Sequence, residues 1–206
     1  MIYFESSKKN TGMDFIDINI PTDISKLQDY YTLRRAIFCE EQQLFNVDDY
    51  DKKDALAIPI VALKHYLGAP DKVIGCVRIY EESERHWFGG RLGVLPEYRS
   101  FSKFICPNLF TNKEVSALYK MSIAAGLIYR AVSMANFLGC TSFSAHVQEQ
   151  NVRLFERLHW NKRKEIDVYG VKHFLMKADL DYYPATPIYA ESNLNAEFFK
   201  RIKIVA

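Results

Sequence analysis

The chain has 206 residues, 49% of them apolar, with 27 Lys or Arg against 25 Asp or Glu and a formal net charge of +2. That length and apolar share suit a single domain, residues 1–206, with a real core. The near-balanced charge gives no general attraction for nucleic acid or membrane, so a charged ligand has to be recognised locally.

The four cysteines, Cys39, Cys76, Cys106 and Cys140, form no C-x-x-C pair and have no histidine cluster beside them. No zinc site or disulfide framework is expected, and no metal. The N-terminal MIYFESSKKNTG lacks the apolar core of a secretory signal, and no apolar run approaches about 18 residues, so the expected location is the cytoplasm.

In chain order, DFIDINI alternates apolar and polar residues and stops at Pro21, which predicts a half-buried strand followed by a helix capped at Thr22 or Asp23. DISKLQDYYTLRRAIFCEEQ sets Ile24, Leu27, Tyr31 and Phe38 on one helical face. After the polar FNVDDYDKKDA, the β-branched IPIVALKHY and KVIGCVRIYEE read as antiparallel neighbours joined by LGAPD. HWFGGRLGVLP is a further strand, whose Gly89 and Gly90 mark a bulge or a close backbone approach.

Tyr119–Leu138 is apolar almost all round, as for a central helix packed on a sheet. It is followed by a strand, TSFSAHVQ, a helix, NVRLFERL, and two strands, RKEIDVYG and KHFLMKADL, that turn at Gly170. The last 25 residues, YYPATPIYAESNLNAEFFKRIKIVA, are punctuated by prolines and find no place in this pattern. There is no internal repeat, and the order of elements is that of a mixed α+β fold.

V-x-P-x-x-R before a central helix, with N-x-x-x-F-x-R-x-x-W before two closing strands, resembles the GNAT N-acyltransferase superfamily over residues 14 to about 180. RRAIFCEEQQLF, VIGCVRIY, WFGGRLGV, AAGLIYRAV and VQEQNVRLFERLHW, in that order, most resemble the N-acetyltransferases encoded in bacterial nitrilase gene clusters. The resemblance implies a mostly antiparallel twisted sheet, flanked by helices and splayed between its fourth and fifth strands. It implies acetyl-CoA or another acyl-CoA in the splay, and a small-molecule amine as acceptor.

The family's fourth strand pairs with pantetheine and its R/Q-x-x-G-x-G/A loop holds the pyrophosphate, as helix N-termini with small residues do. Carried over by position, these cofactor contacts are Leu92 and Val94, Arg99, Lys120, Ser122, Ile123 and Ala124, then Asn151 and Phe155 on the next helix. YKMSIA takes the place of the loop, displaced from Arg99 by an insertion at about 100–118, with Ser122 and Ala124 where the family has glycines. The insertion is rich in apolar residues (Phe101, Phe104, Ile105, Leu109, Phe110), which suits a lid, an acyl-chain wall, a homodimer contact or an extra core helix.

Amide formation from a thioester needs a base for the amine, a donor for the oxyanion and a proton for the thiolate. The resemblance makes Val94 N–H the oxyanion donor, and puts Phe155 where the family has a proton-donating Tyr. The fourth strand carries no Asp or Glu between Trp87 and Leu95, so the base candidates are His146, His86 and Glu82, with Glu81 and Glu84 beside it. His146 stands on the face opposite Phe143, Ala145 and Val147. The alternatives are a structural histidine and a solvated acidic turn.

Asn151 is a CoA contact or a helix N-cap, and Arg99 a phosphate ligand or an exposed loop arginine. Arg34 and Arg35 with Phe38, Asp51 with Asp54, and Gly75-x-x-Arg78 also resemble acyl-homoserine lactone synthases, although Phe88 stands where those have Glu ahead of Arg91. That makes Arg35, Phe38, Asp51, Arg78 and Arg91 candidate substrate contacts, against ordinary salt bridges.

The expected activity is acyl transfer from CoA to a small-molecule amine by direct attack. The rivals are a non-catalytic CoA-binding protein and a synthase drawing on acyl carrier protein, docked by Arg34, Arg35, Arg78, Arg130 and Lys103.

Overall fold

The computed structural model describes residues 2–6, 15–21, 23–100, 104–106 and 119–186, with 2–6, 104–106 and 119–120 described by backbone alone. The strands are β1 (Ile2–Ser6), β2 (Phe15–Asn19), β3 (Ile58–Tyr66), β4 (Ala69–Ser83), β5 (His86–Val94), β6 (Phe104–Cys106), β7 (Tyr119–Met121), β8 (Ser142–Gln148), β9 (Trp160–Val168) and β10 (Val171–Ala178). The helices are α1 (Ile24–Arg35), α2 (Pro96–Arg99), α3 (Ile123–Phe137) and α4 (Val152–Arg157). Of the insertion's apolar residues, Phe104 and Ile105 belong to β6 by backbone; Phe101, Leu109 and Phe110 lie outside the described residues, as do Lys103 and the chain after 186.

The first helix begins where the sequence predicts, with the Asp23 carboxylate accepting from Lys26 N at 2.9 Å. It does not run on to residue 42 as a single α-helix. From Ala36 to Glu41 the winding loosens to a π-helix, in which Gln42 N–H donates to Ile37 O at 2.9 Å. β4 is longer than its sequence pattern, because the LGAPD turn shrinks to Leu67 and Gly68, both at positive φ.

The strands form one sheet in the order β7-β6-β1-β2-β3-β4-β5-β8-β10-β9. Among the described strands only β5 and β8 run parallel, over four rungs from His86–Ser142 to Gly89–Ala145. Beyond Gly89–Ala145 they part: β5 stays paired with β4 as far as Val94, and β8 stays paired with β10 as far as Gln148. Just past the last shared rung, Arg91 and Leu92 together oppose Val77, a β-bulge that bends β5 away from β8. Arg91 sits at φ +55°, a left-handed conformation that costs a non-glycine residue about 1–2 kcal/mol.

Helix α3, buried nearly all round, lies across one face of the sheet over β3, β4 and β5. Helix α1 and the π-turn cover the other face, where Tyr30, Leu33, Ile37 and Phe38 pack on Val61, Leu63, Val73 and Cys76. The approach is close at Gly93, where a Cβ would stand 2.8 Å from Ile37 Cδ1 and 3.4 Å from Phe38 Cζ.

Between this helix and the bulge, three arginines and three aspartates interlock. Arg34, fully buried, donates to Asp49 Oδ2 (2.8 Å), Asp54 Oδ1 (2.5 Å), Asp54 Oδ2 (3.0 Å) and Tyr30 Oη (3.0 Å). Arg78 grips Asp51 with two bonds of 2.9 and 2.6 Å and reaches Asp54 at 2.5 Å. Arg91 donates to the Asp49 carboxylate at 2.8 Å, to its carbonyl at 2.7 Å and to Asp51 at 3.2 Å. Burial raises the Asp51 and Asp54 carboxyls, but their arginine partners more than reverse this and hold both below the usual carboxylate range.

Replacing Arg34 by Met takes one of two arginine partners from each of the buried carboxylates Asp49 and Asp54, and should lower the unfolding free energy by about 3–5 kcal/mol in urea titrations at pH 7. An unchanged urea midpoint would show that the network adds nothing to stability. Because the folded-state values of Asp51 and Asp54 are depressed, their contribution should be complete above about pH 4 and lost as the pH falls further. A urea midpoint measured from pH 7 to pH 2.5 should therefore fall in its acid limb.

Candidate acyl-transfer site

The parting of β5 and β8 opens a cavity of about 1200 Å³ that reaches both faces of the sheet. Leu95 N–H donates to Ile74 O at 2.9 Å. Because successive strand peptides point to opposite edges, the Val94 N–H points away from β4 and into the opening. Leu92 also borders the cavity, and the Val94 carbonyl is taken by Arg99 Nε at 2.7 Å.

On the α3 face, the helix meets the cavity with its first turn. Ser122 is the N-cap, its hydroxyl accepting from Ala125 N at 3.2 Å, and Ile123 and Ala124 follow on the cavity wall. YKMSIA does not form the expected loop: Tyr119–Met121 is a strand paired with β6, and the chain enters the helix directly through Ser122. What replaces the glycines is thus a capped helix start of 15 residues, with the positive end of its dipole at the cavity. Lys120 stands on β7 by its backbone, and its side chain lies outside the described residues.

Asn151 precedes α4 but makes no capping bond, and its side chain borders the cavity. Phe155 is buried, edge-on to Trp160 at 4.9 Å between centroids. Arg99 is neither a free phosphate ligand nor an unpartnered loop residue, since both its terminal nitrogens are held by the two Glu41 oxygens at 2.6 Å.

On the opposite face, His146 borders the cavity with its ring edge-on to Phe88 at 4.7 Å. Burial, and then the neighbouring His173, hold its imidazole below the ordinary pKa. His173, which no sequence pattern singled out, is buried on β10 opposite Gln148 and borders the same cavity. Its Nδ1 is 2.7 Å from the Val171 carbonyl, a contact that requires a hydrogen on Nδ1.

Glu82 and His86 are not brought to the cavity. Glu82 pairs on the surface with Lys53 at 2.5 Å, and His86 is exposed at the far, still-paired end of β5. Nearby, Glu81 accepts from Arg85 N, and Glu84 is exposed.

Of the five candidate substrate contacts, the structure brings Phe38, Asp51, Arg78 and Arg91 to the cavity. Arg35 points to solvent, 3.6 Å from Glu40, and its neighbour Arg34 joins the network instead. With Arg34, Arg78 and Arg130 all buried, these residues do not converge on a basic docking patch. Sequence reasoning missed Asp49, the partner of two arginines, and Phe45 and Tyr169, which meet edge-on at 5.2 Å across the cavity mouth.

No protein-family model matches the chain, and no curated protein sequence matches it. Solved structures do. A protein named as an N-acetyltransferase from Lactobacillus plantarum is 20% identical and superposes with a TM-score of 0.61 over 82% of this chain and 99% of its own. An acetyltransferase of the GNAT family from Staphylococcus aureus is 10% identical, with a TM-score of 0.55 over 80% and 99%. A CoA-dependent acyl-homoserine lactone synthase, BjaI, solved with SAM and isopentyl-CoA, is 15% identical, with a TM-score of 0.53 over 93% and 90%. At these identities the likeness is one of architecture, and this chain has the fold of the GNAT acetyltransferases.

Proposed function

We propose that the protein is an acyl-CoA-dependent N-acyltransferase that moves an acyl group to the amine of a small molecule. The observation that carries this reading is the opening between β5 and β8, with the Val94 N–H on one side and the capped start of α3 at its edge. A pantetheine arm laid along Leu92 and Val94 would bring its thioester carbonyl to that N–H, the donor an oxyanion requires. The pyrophosphate would meet the first turn of α3 at Ser122, Ile123 and Ala124, with Lys120, Asn151 and Phe155 around it, and Arg99 would join only by giving up its pair with Glu41. When bound, the cofactor supplies the activated acyl group.

On the acceptor face His146 takes the amine proton, and the reaction is direct. The described thiols suit no acyl-enzyme: burial pushes Cys76 up to about 12 and raises Cys39 and Cys140, and none of the three borders the cavity. Acetyl is the simplest donor. The narrower likeness, to the N-acetyltransferases of nitrilase gene clusters, rests on the five sequence phrases.

A second reading is a lactone-synthase-like enzyme. Its support is the network of Arg34, Arg78 and Arg91 with Asp51 and Asp54, together with architectural likeness to BjaI along 93% of this chain.

Isothermal titration with acetyl-CoA should give micromolar binding, weakened at least about tenfold in Ser122→Glu, whose carboxylate opposes the phosphates. No binding by any acyl-CoA would remove the proposal. His146→Ala should reduce kcat/KM by about 10²–10⁴ while leaving the Kd for acetyl-CoA unchanged. Since the folded-state value of His146 is lowered, wild-type kcat/KM should be level through neutral pH and fall on acidification with a midpoint below 6.5. A midpoint above 7 would exclude this histidine as the base.

A further inference from the structure

The acceptor half of the cavity has no spare charge among the described residues. Each ionised side chain that borders it has a partner within the protein, with Lys172 shared between Glu149 and Glu165. Asp51 is taken by Arg78 at 2.6 Å, Arg91 by Asp49 at 2.8 Å and Lys53 by Glu82 at 2.5 Å. Glu41 is taken by Arg99 at 2.6 Å and Glu149 by Lys172 at 3.0 Å. The Asp51 carboxylate is moreover saturated, its two oxygens accepting from Lys53 N, from both Arg78 terminal nitrogens and from Arg91. Inside the buried network a cationic substrate body would find no open carboxylate, and an anionic one no open cation; Glu149 and Lys53 are largely exposed and lie in solvent-open pairs.

What remains, beside Leu44 and the amides of Gln42 and Gln148, which bond to each other, is aromatic and weakly basic: Phe38, Phe45, Tyr80, Phe88 and Tyr169, with His146 and His173. Tyr169 is 69% exposed and sits at φ +55° in a two-residue hairpin turn with Gly170 at +74°, a position that favours Asn, Asp or Gly. A bulky residue held there costs about 1–2 kcal/mol, and its ring is thereby placed against Phe45 at the mouth of the cavity. Opposite it, Gln43 is also at positive φ, at +52°, at the start of the Gln43–Phe45 stretch that delivers Phe45. Both walls of the mouth are therefore built on unfavourable backbone, in favour of aromatic surface.

We infer that the acceptor is an amine that is uncharged at neutral pH and is carried on an aromatic or otherwise apolar body, as in an arylamine. This rests on the acyl-CoA reading above and names the acceptor class for that site. The chemistry agrees with the walls. An alkylammonium, with a pKa near the 10.4 or so of lysine, stands far above an imidazole, so His146 would seldom deprotonate it before attack. A neutral arylamine needs no such step. Its nitrogen attacks the thioester carbonyl and forms the C–N bond. The proton released from that nitrogen passes to His146, the C–S bond breaks, and the thiolate takes the proton, leaving an amide and the CoA thiol.

The test is thiol release from acetyl-CoA with 4-ethylaniline, 2-phenylethylamine and spermidine, beside calorimetric binding of acetyl-CoA to the same protein. The expected order of kcat/KM is arylamine, then phenylethylamine, then spermidine. Spermidine ahead of both aromatic amines would overturn the inference, as would binding of acetyl-CoA with no acylation of the arylamine. Failure to bind acetyl-CoA would instead strike at the acyl-CoA reading, and the inference would fall with it.

Phe45→Ala should raise KM for the arylamine about tenfold without changing the Kd of acetyl-CoA. Tyr169→Gly relieves the turn, so it should raise Tm while also raising that KM. A higher Tm with unchanged KM would show that the ring plays no part in acceptor binding.

Discussion

The interlocked charges of Arg34, Arg78 and Arg91 with Asp49, Asp51 and Asp54 are the constraint on which the α1 side of the cavity depends. The three arginines come from α1, β4 and β5, and the three aspartates from the irregular segment between α1 and β3. No hydrophobic pattern would fix such a segment. Here its position follows from guanidinium geometry, because each planar fork donates to its carboxylate in only a few orientations. The network also holds Arg91 in its left-handed conformation, so the ion pairs and the bulge are coupled. Loss of one would relax the other, and with it the angle at which β5 leaves β8.

That angle is the structural origin of the site. A regular parallel pair would continue hydrogen bonding past Gly89 and Ala145 and leave no room for a ligand. The bulge turns β5 toward β4 just where the two strands would otherwise remain in register, and residues 146–148 keep their partner in β10. The two halves of the sheet diverge while each remains fully paired on its outer side. The two faces of the sheet thus share one opening but draw on different elements, α3 and α4 on one face and α1 with the π-turn on the other.

Much of this was legible in the residues. The alternating strands and the all-round apolar central helix follow from periodicity, and adjacent Gly89 and Gly90 marked the neighbourhood of the bulge; the first helix was legible as a helix, but it buries Tyr30, Leu33 and Arg34, and Ile24 of the expected face is exposed. The face of His146 followed from alternation along β8. The choice between Arg34 and Arg35 did not, because two adjacent arginines look alike in composition. A helical-face argument would have separated them, since Tyr30, Arg34 and Phe38 recur at a spacing of four and point the same way. Asp49 lay in a polar run without period, and the change from α- to π-winding after Arg35 has no compositional mark. His173, Phe45 and Tyr169 become neighbours only through strand pairing and loop closure, which local sequence does not encode. The insertion and the C-terminal residues lie outside the described part of the chain.

The diverging strands have a consequence for association as well as for binding. A strand edge with unpaired peptide groups is the surface on which proteins ordinarily aggregate, and the outer edge strand β9 blunts it with Lys162, Arg163 and Lys164, all exposed. The opening creates two more such edges, along residues 90–94 and 146–148, and the lysine or arginine they carry, Arg91, is drawn into its pairs with Asp49 and Asp51 and is not exposed like those of β9. They are screened by their surroundings, between helices on both faces of the sheet and under the Phe45–Tyr169 contact. A folded neighbour cannot bring a strand into that space, whereas a slender chain with its own amide groups can. Access by width thus replaces charge as the means by which this fold keeps a reactive edge from being sticky.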